Sequence, residues 1–169
     1  ALLVMSFIPD HERAIAEMRR VTRPRGIVGA CGWDDNQGMQ SLRLFWDEAV
    51  VLDPAIEPKD ERHLKLSRQG QLGALWREAG LRDVQEQPLT IEQAYAAFDD
   101  YWTPCTEGAG PAGAYVAALP VDRRGRLEAG LRKRVLGGRP DGPFVLEARA
   151  WCVRGVVARP ENPGPFRAR

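Results

Sequence analysis

The chain has 169 residues, with 24 lysines and arginines against 23 aspartates and glutamates. That length suits one domain with a real core, and the net charge of +1 provides no basic field for nucleic acid or a membrane surface. Hydrophobic residues make up 44%, an ordinary globular balance, and no apolar run approaches the roughly 18 residues that cross a bilayer.

Ala1 to Phe7 is a short, continuous apolar run closing at Pro9-Asp10, the pattern of a buried, parallel-type strand. The chain opens in mid-strand character, with no initiator Met and no lead-in, which predicts a truncated chain; separately, no charged stretch precedes an apolar one, so no signal peptide is expected. Asp10 is placed to cap a helix in which Ala14, Ile15, Met18 and Val21 recur at helical spacing, with His11 at its wet start; Pro24 and Gly26 stop it. Ile27 to Trp33 is a second apolar run without alternation. Strand, helix and strand in this order predict a right-handed βαβ unit.

Leu42, Phe45, Trp46, Ala49 and Val50 form a helical stripe, followed by a Pro-rich break from Asp53 to Lys59. Ser67 is read as opening a helix that carries Leu72, Leu75, Trp76 and Ala79, with Gly80 just past its end. Arg82 to Pro88 reads as a short, polar edge strand. Thr90-x-x-Gln93 matches a capping box, so a helix with Ile91, Ala94, Tyr95, Phe98 and Trp102 on one face is expected there. Short helices follow at Ala112–Leu119 and around Leu127, Leu131 and Val135. Phe144 to Val157 is a long alternating strand, with Leu146, Ala148, Ala150 and Cys152 on one face and Glu147, Arg149 and Trp151 on the other. Residues 158–169 read as a Pro-rich tail, and the order of elements predicts one layered α/β domain over residues 1–157.

Cys31, Cys105 and Cys152 are too scattered for a disulfide framework, and neither they nor His11 and His63 have metal-ligand spacing. No metal is expected, and a reducing, cytoplasmic compartment is.

Several segments, taken in order, match a family. Ser6-Phe7-Ile8-Pro9-Asp10 resembles the end of the fourth strand in class I S-adenosylmethionine-dependent methyltransferases. Glu17-Met18-Arg19-Arg20-Val21-x-Arg23-Pro24-x-Gly26 resembles the helix and turn that follow. Trp33-Asp34 matches the close of the fifth strand, and Ala79-Gly80-Leu81-x-Asp83-Val84 the approach to the sixth. Asp99-Asp100-Tyr101-Trp102-x-Pro104 and Ala150-Trp151 resemble segments of the quinone-methyltransferase-like group that acts on small molecules. Arg25 departs from the family's first turn glycine, which implies a turn that avoids positive φ there.

The resemblance implies a partial Rossmann-like three-layer sandwich: strands four to seven of the family's sheet, mostly parallel, with an antiparallel last strand inserted between the fifth and sixth. It implies S-adenosylmethionine as cofactor and a small-molecule methyl acceptor. The Gly-rich turn and ribose-binding acid that grip the cofactor belong to strands one and two, so this chain alone is expected to be inactive and not to bind the cofactor tightly. Gly108-x-Gly110-x-x-Gly113 fits a nucleotide-loop spacing, but it follows Tyr101-Trp102-Thr103-Pro104 rather than a buried strand, and is read as a flexible connection.

Methyl transfer is an in-line displacement, driven largely by positioning, so no catalytic residue is nominated. Ligands of open α/β sheets bind beyond the carboxyl ends of strands. Ser6 and Phe7 are therefore candidates for the cofactor's methionine end, against a plainer role in strand-end packing. Trp33, Asp34, Trp46, Tyr101 and Trp102 are candidates for the acceptor wall, against core packing for the aromatics and a loop cap for Asp34. Tyr101 is favoured because its hydroxyl donates or accepts. An uncovered Ala1–Phe7 strand predicts a homo-oligomer paired through residues 1–7, and a non-catalytic assembly module is the alternative to an enzyme.

Overall fold

The structure, a computed structural model, describes residues 1–59, 64–108 and 110–159. His63 and the tail from residue 160 lie outside the described residues.

Among the described residues six α-helices and three strands form an α/β arrangement. Helix α1 spans His11–Val21, and the Asp10 side chain accepts from the Arg13 N–H at 2.9 Å, the cap its position predicts. Strand β1 is Ile27–Trp33 and helix α2 is Gln40–Leu52. A 3-10 turn over Pro54–Lys59 occupies the Pro-rich break. Helix α3 spans Gln71–Glu78, starting four residues after the expected Ser67. The Ser67 hydroxyl instead donates to the Leu64 carbonyl in the preceding turn. Gly80 follows α3 at φ +75°, with the Leu81 N–H reaching back to the Trp76 carbonyl.

Strand β2 runs over Arg82–Tyr95, and only then does α4, Phe98–Thr106, begin. The capping-box reading at Thr90 is therefore corrected. Residues 89–95 pair one-for-one with Ala150 back to Phe144, so a long partner strand overrides a local helix signal. The helix start falls at Ala97, where Asp141 accepts from the Phe98 N–H and Asp100 from the Ala96 N–H. Helices α5 (Gly110–Ala118) and α6 (Val121–Leu136) lead to β3, Phe144–Val156.

The sheet order is β1-β3-β2, with β3 antiparallel to both neighbours. The last strand thus sits between the other two, as the resemblance implies. Both ladders are consequently antiparallel rather than mostly parallel, because the inserted strand separates the two that share a direction. The expected Ala1–Phe7 strand is reduced to one parallel bridge, Leu2 to Cys31, on the outer edge of β1. Leu3 takes φ +58°, which breaks the extended run, and Met5–Phe7 form a 3-10 turn that buries Met5.

Alternation along β3 separates two cores. Trp151, Val153 and Val157 pack with Met5, Ile15, Leu72 and Trp76 under α1 and α3. Phe144 and Leu146, on the opposite face, pack with Phe45, Trp46, Phe98, Val116 and Leu131 from the other helices. Arg25 adopts φ +63°, correcting the expectation that its turn avoids the left-handed region. The Arg25 N–H donates to the Val157 carbonyl at 2.9 Å and the Val157 N–H to the Gly26 carbonyl at 2.9 Å, so the end of the sheet fixes this turn.

Candidate functional site

The carboxyl end of β1 organises a tight loop. The Asp34 carbonyl accepts from the N–H groups of Gly38 and Met39, and the Asp34 carboxylate accepts from the Gln37 N–H. The same carboxylate takes both Nε and Nη2 of Arg149, at 2.8 and 2.6 Å. Backbone bonds close the arrangement: the Asp34 N–H donates to the Arg149 carbonyl and the Arg149 N–H to the Gly38 carbonyl. Gly38 is needed here because a Cβ would stand 2.6 Å from the Arg149 Cβ and 2.7 Å from that of Asp34. Asp34 is 2% exposed, so its carboxylate serves this loop and the β3 arginine. The Arg149 guanidinium also lies 5.3 Å from the Trp151 ring centroid.

Two clefts flank this junction. One, of about 200 Å³, is almost wholly apolar and is lined by Leu2, Leu3, Cys31, Trp33, Leu89, Ile91 and Ala150. The other, of about 190 Å³, is polar, with Gln37, Gln40, Arg43, Thr90, Glu147 and Arg149 on its walls. By strand alternation the two open on opposite faces of the sheet. Trp33, half-buried, is the expected site residue that the apolar cleft contains.

The other expected site residues lie elsewhere. Ser6 and Phe7 occupy the turn after the first bridge, with Phe7 63% exposed. Trp46 is fully buried, edge-on to Phe45 at 5.1 Å, inside the helical core. Tyr101 and Trp102 are buried in that same core, and neither lines the cleft that holds Trp33. The Tyr101 hydroxyl donates to the Ser41 carbonyl at 2.8 Å, and burial pushes its phenol well above the ordinary value, so it stays protonated. His11 is half-buried rather than wet, with its Nε2 enclosed.

Sequence reasoning missed Arg149, whose side chain reaches across the sheet to Asp34. The available signal was an arginine flanked by two alanines within a long strand, opposite the end of an apolar strand. It also missed the neighbouring placement of Cys31 and Cys152, which only strand register reveals.

Gly108 lies in the turn after α4, while Gly110 opens α5 and Gly113 lies within it, so the glycines follow a helix rather than a strand and two of the three are helical rather than a flexible connection. A Cβ on Gly113 would lie 2.5 Å from the Gly108 carbonyl carbon, so Gly113 lets the turn before α5 fold back closely on the helix. Among the described residues no group of acids, histidines and cysteines is arranged to hold a metal, and no helix is long and apolar enough to cross a membrane.

No family model matches the chain, and no curated protein matches it. Among solved structures, phosphoethanolamine N-methyltransferase 2 of Haemonchus contortus, in complex with phosphomonomethylethanolamine and S-adenosylhomocysteine, is 12% identical with a TM-score of 0.43. That match covers 94% of this chain, which spans 32% of the other. A candidate methyltransferase from Bacillus halodurans C-125 is 9% identical with a TM-score of 0.45, over 94% of this chain and 68% of that one.

Proposed function

We propose that this chain forms part of an S-adenosylmethionine-dependent methyltransferase acting on a small molecule, and supplies the acceptor side of the site. The observation that carries this reading is the sheet order. Residues 1–3 lie parallel beside β1, and the last strand inserts antiparallel between β1 and β2. This is the strand order implied by the motifs from Ser6 to Trp151. Trp33, on the wall of the apolar cleft, is the acceptor-facing residue in this reading. Ser6 and Phe7 border the methionine end of the cofactor, at the carboxyl end of the segment that runs beside β1. The chain alone is expected to show no tight cofactor binding, because its described residues lack the Gly-rich strand-to-helix turn.

The test uses the product of the complete reading frame that contains this chain, with methyl-labelled S-adenosylmethionine and a small-molecule extract. Label on a low-molecular-weight acceptor is the expected result. Label that stays on the cofactor, or that goes only to macromolecules, overturns the reading.

A second reading, assembly through residues 1–7, draws on the exposure of Leu2 (72%), Val4 and Phe7, with Leu2 on the wall of the apolar cleft. In it a second copy of the chain covers this edge.

A further inference from the structure

Cys31 and Cys152 stand directly opposite each other on β1 and β3. The Cys31 N–H donates to the Ala1 carbonyl and its carbonyl accepts from the Leu3 N–H, so both backbone groups point away from β3. The cysteines therefore occupy a non-hydrogen-bonded pair, the type in which opposed Cα atoms approach to about 4.5 Å and side chains come closest. That spacing falls within the roughly 4.4–6.8 Å that a disulfide spans. Their sulfurs lie 2.7 Å apart, with both residues half-buried. Cys31 lines the apolar cleft next to Trp33, which gives a small reagent a route to the pair.

We propose that Cys31 and Cys152 are a redox modification site, closing to a cross-strand disulfide on exchange with a low-molecular-weight disulfide. One protein sulfur, as thiolate, attacks the small disulfide, forming a mixed disulfide and releasing one thiolate. The second protein sulfur then attacks the mixed disulfide at the protein-bound sulfur, and the other small thiolate leaves. The two thiol protons end on the two released thiols. The protein gives up two electrons and the small disulfide gains them, so two thiols and one disulfide become one protein disulfide and two small thiols. The bond staples β1 to β3 in the wall of the cleft. Burial, and then the neighbouring Cys31, push the Cys152 thiol up to about 11, so Cys152 rests as a thiol at neutral pH until exchange occurs. This chemistry is independent of the methyl-transfer reading.

The experiment equilibrates the full chain with glutathione buffers of increasing oxidised fraction, quenches with acid, alkylates the remaining thiols and maps the peptides without reductant. Cys31 and Cys152 are expected to lose alkylation together, one for one, and to appear as a single linked peptide pair. Cys105 should stay alkylated, and Cys105→Ser should give the same linkage. Returning the chain to reduced glutathione should restore both thiols. Separate glutathione adducts on Cys31 or Cys152, a link to Cys105, or three alkylated cysteines in fully oxidised buffer would each overturn the proposal.

Discussion

Asp34 holds three things at once: the loop after β1, the Arg149 side chain and the register of β3 beside them. Removing its charge leaves a guanidinium facing a neutral amide inside a nearly closed junction. Asp34→Asn is expected to cost about 1–3 kcal/mol, read as a lower urea midpoint with an unchanged slope. Arg25 offers the opposite case. A non-glycine residue at φ +63° pays for its left-handed backbone, so Arg25→Gly should raise stability by about 0.5–1 kcal/mol in the same assay. Tyr101 carries a pH dependence. Its phenol is held above the ordinary 10.0, so the folded chain keeps a proton that the unfolded chain releases above pH 10. Stability from this source is intact below pH 10 and falls as pH rises beyond it. Tyr101→Phe should flatten that alkaline decline in a urea series while costing about 1 kcal/mol at pH 7, because the hydrogen bond to Ser41 is lost.

At the scale of elements, packing between neighbours decided what local pattern left ambiguous. The α1 cap at Asp10 was legible because capping is chemistry confined to a few adjacent residues. The extent of β2 was not, because Thr90–Tyr95 has both a capping signature and β-branched residues, and the thirteen-residue β3 alongside settles the choice. Trp33, at the end of β1, stands on the wall of the apolar cleft. Trp46, Tyr101 and Trp102 fill the core because their helices pack on one another, the plainer alternative that the apolar stripe around Trp46 already offered. The α4–α5 turn is tested through Gly113. A methyl group there would press on the Gly108 backbone, so Gly113→Ala is expected to cost about 1–3 kcal/mol in thermal or urea unfolding.

Across the whole molecule, the sheet is covered unevenly. One face is closed by α1 and α3, while the other is covered by helices near Phe144 and Leu146 and carries exposed apolar residues around Leu89 and Ile91. If a second copy covers that region, static light scattering at micromolar concentration should give twice the chain mass, and Leu2→Lys should return it to one; a stable monomer in the unaltered chain would remove the assembly reading. The overall α/β class was legible because it follows from the alternation of elements. The direction of the last strand came only with the family resemblance, since the alternation along Phe144–Val157 does not by itself fix it.

The position of β3 has a consequence for synthesis. β1 and β2 are hydrogen-bonded to β3 but not to each other, so neither has a ladder partner in this sheet while the ribosome has yet to release residues 144–156. During that interval the edges of β1 and β2 that face β3 stay unpaired, the first in a strongly apolar strand, and contacts between distant segments form slowly. Nascent chains stalled before residue 144 should therefore be protease-sensitive in β1 and lean on holding chaperones, whereas chains released beyond residue 156 should not.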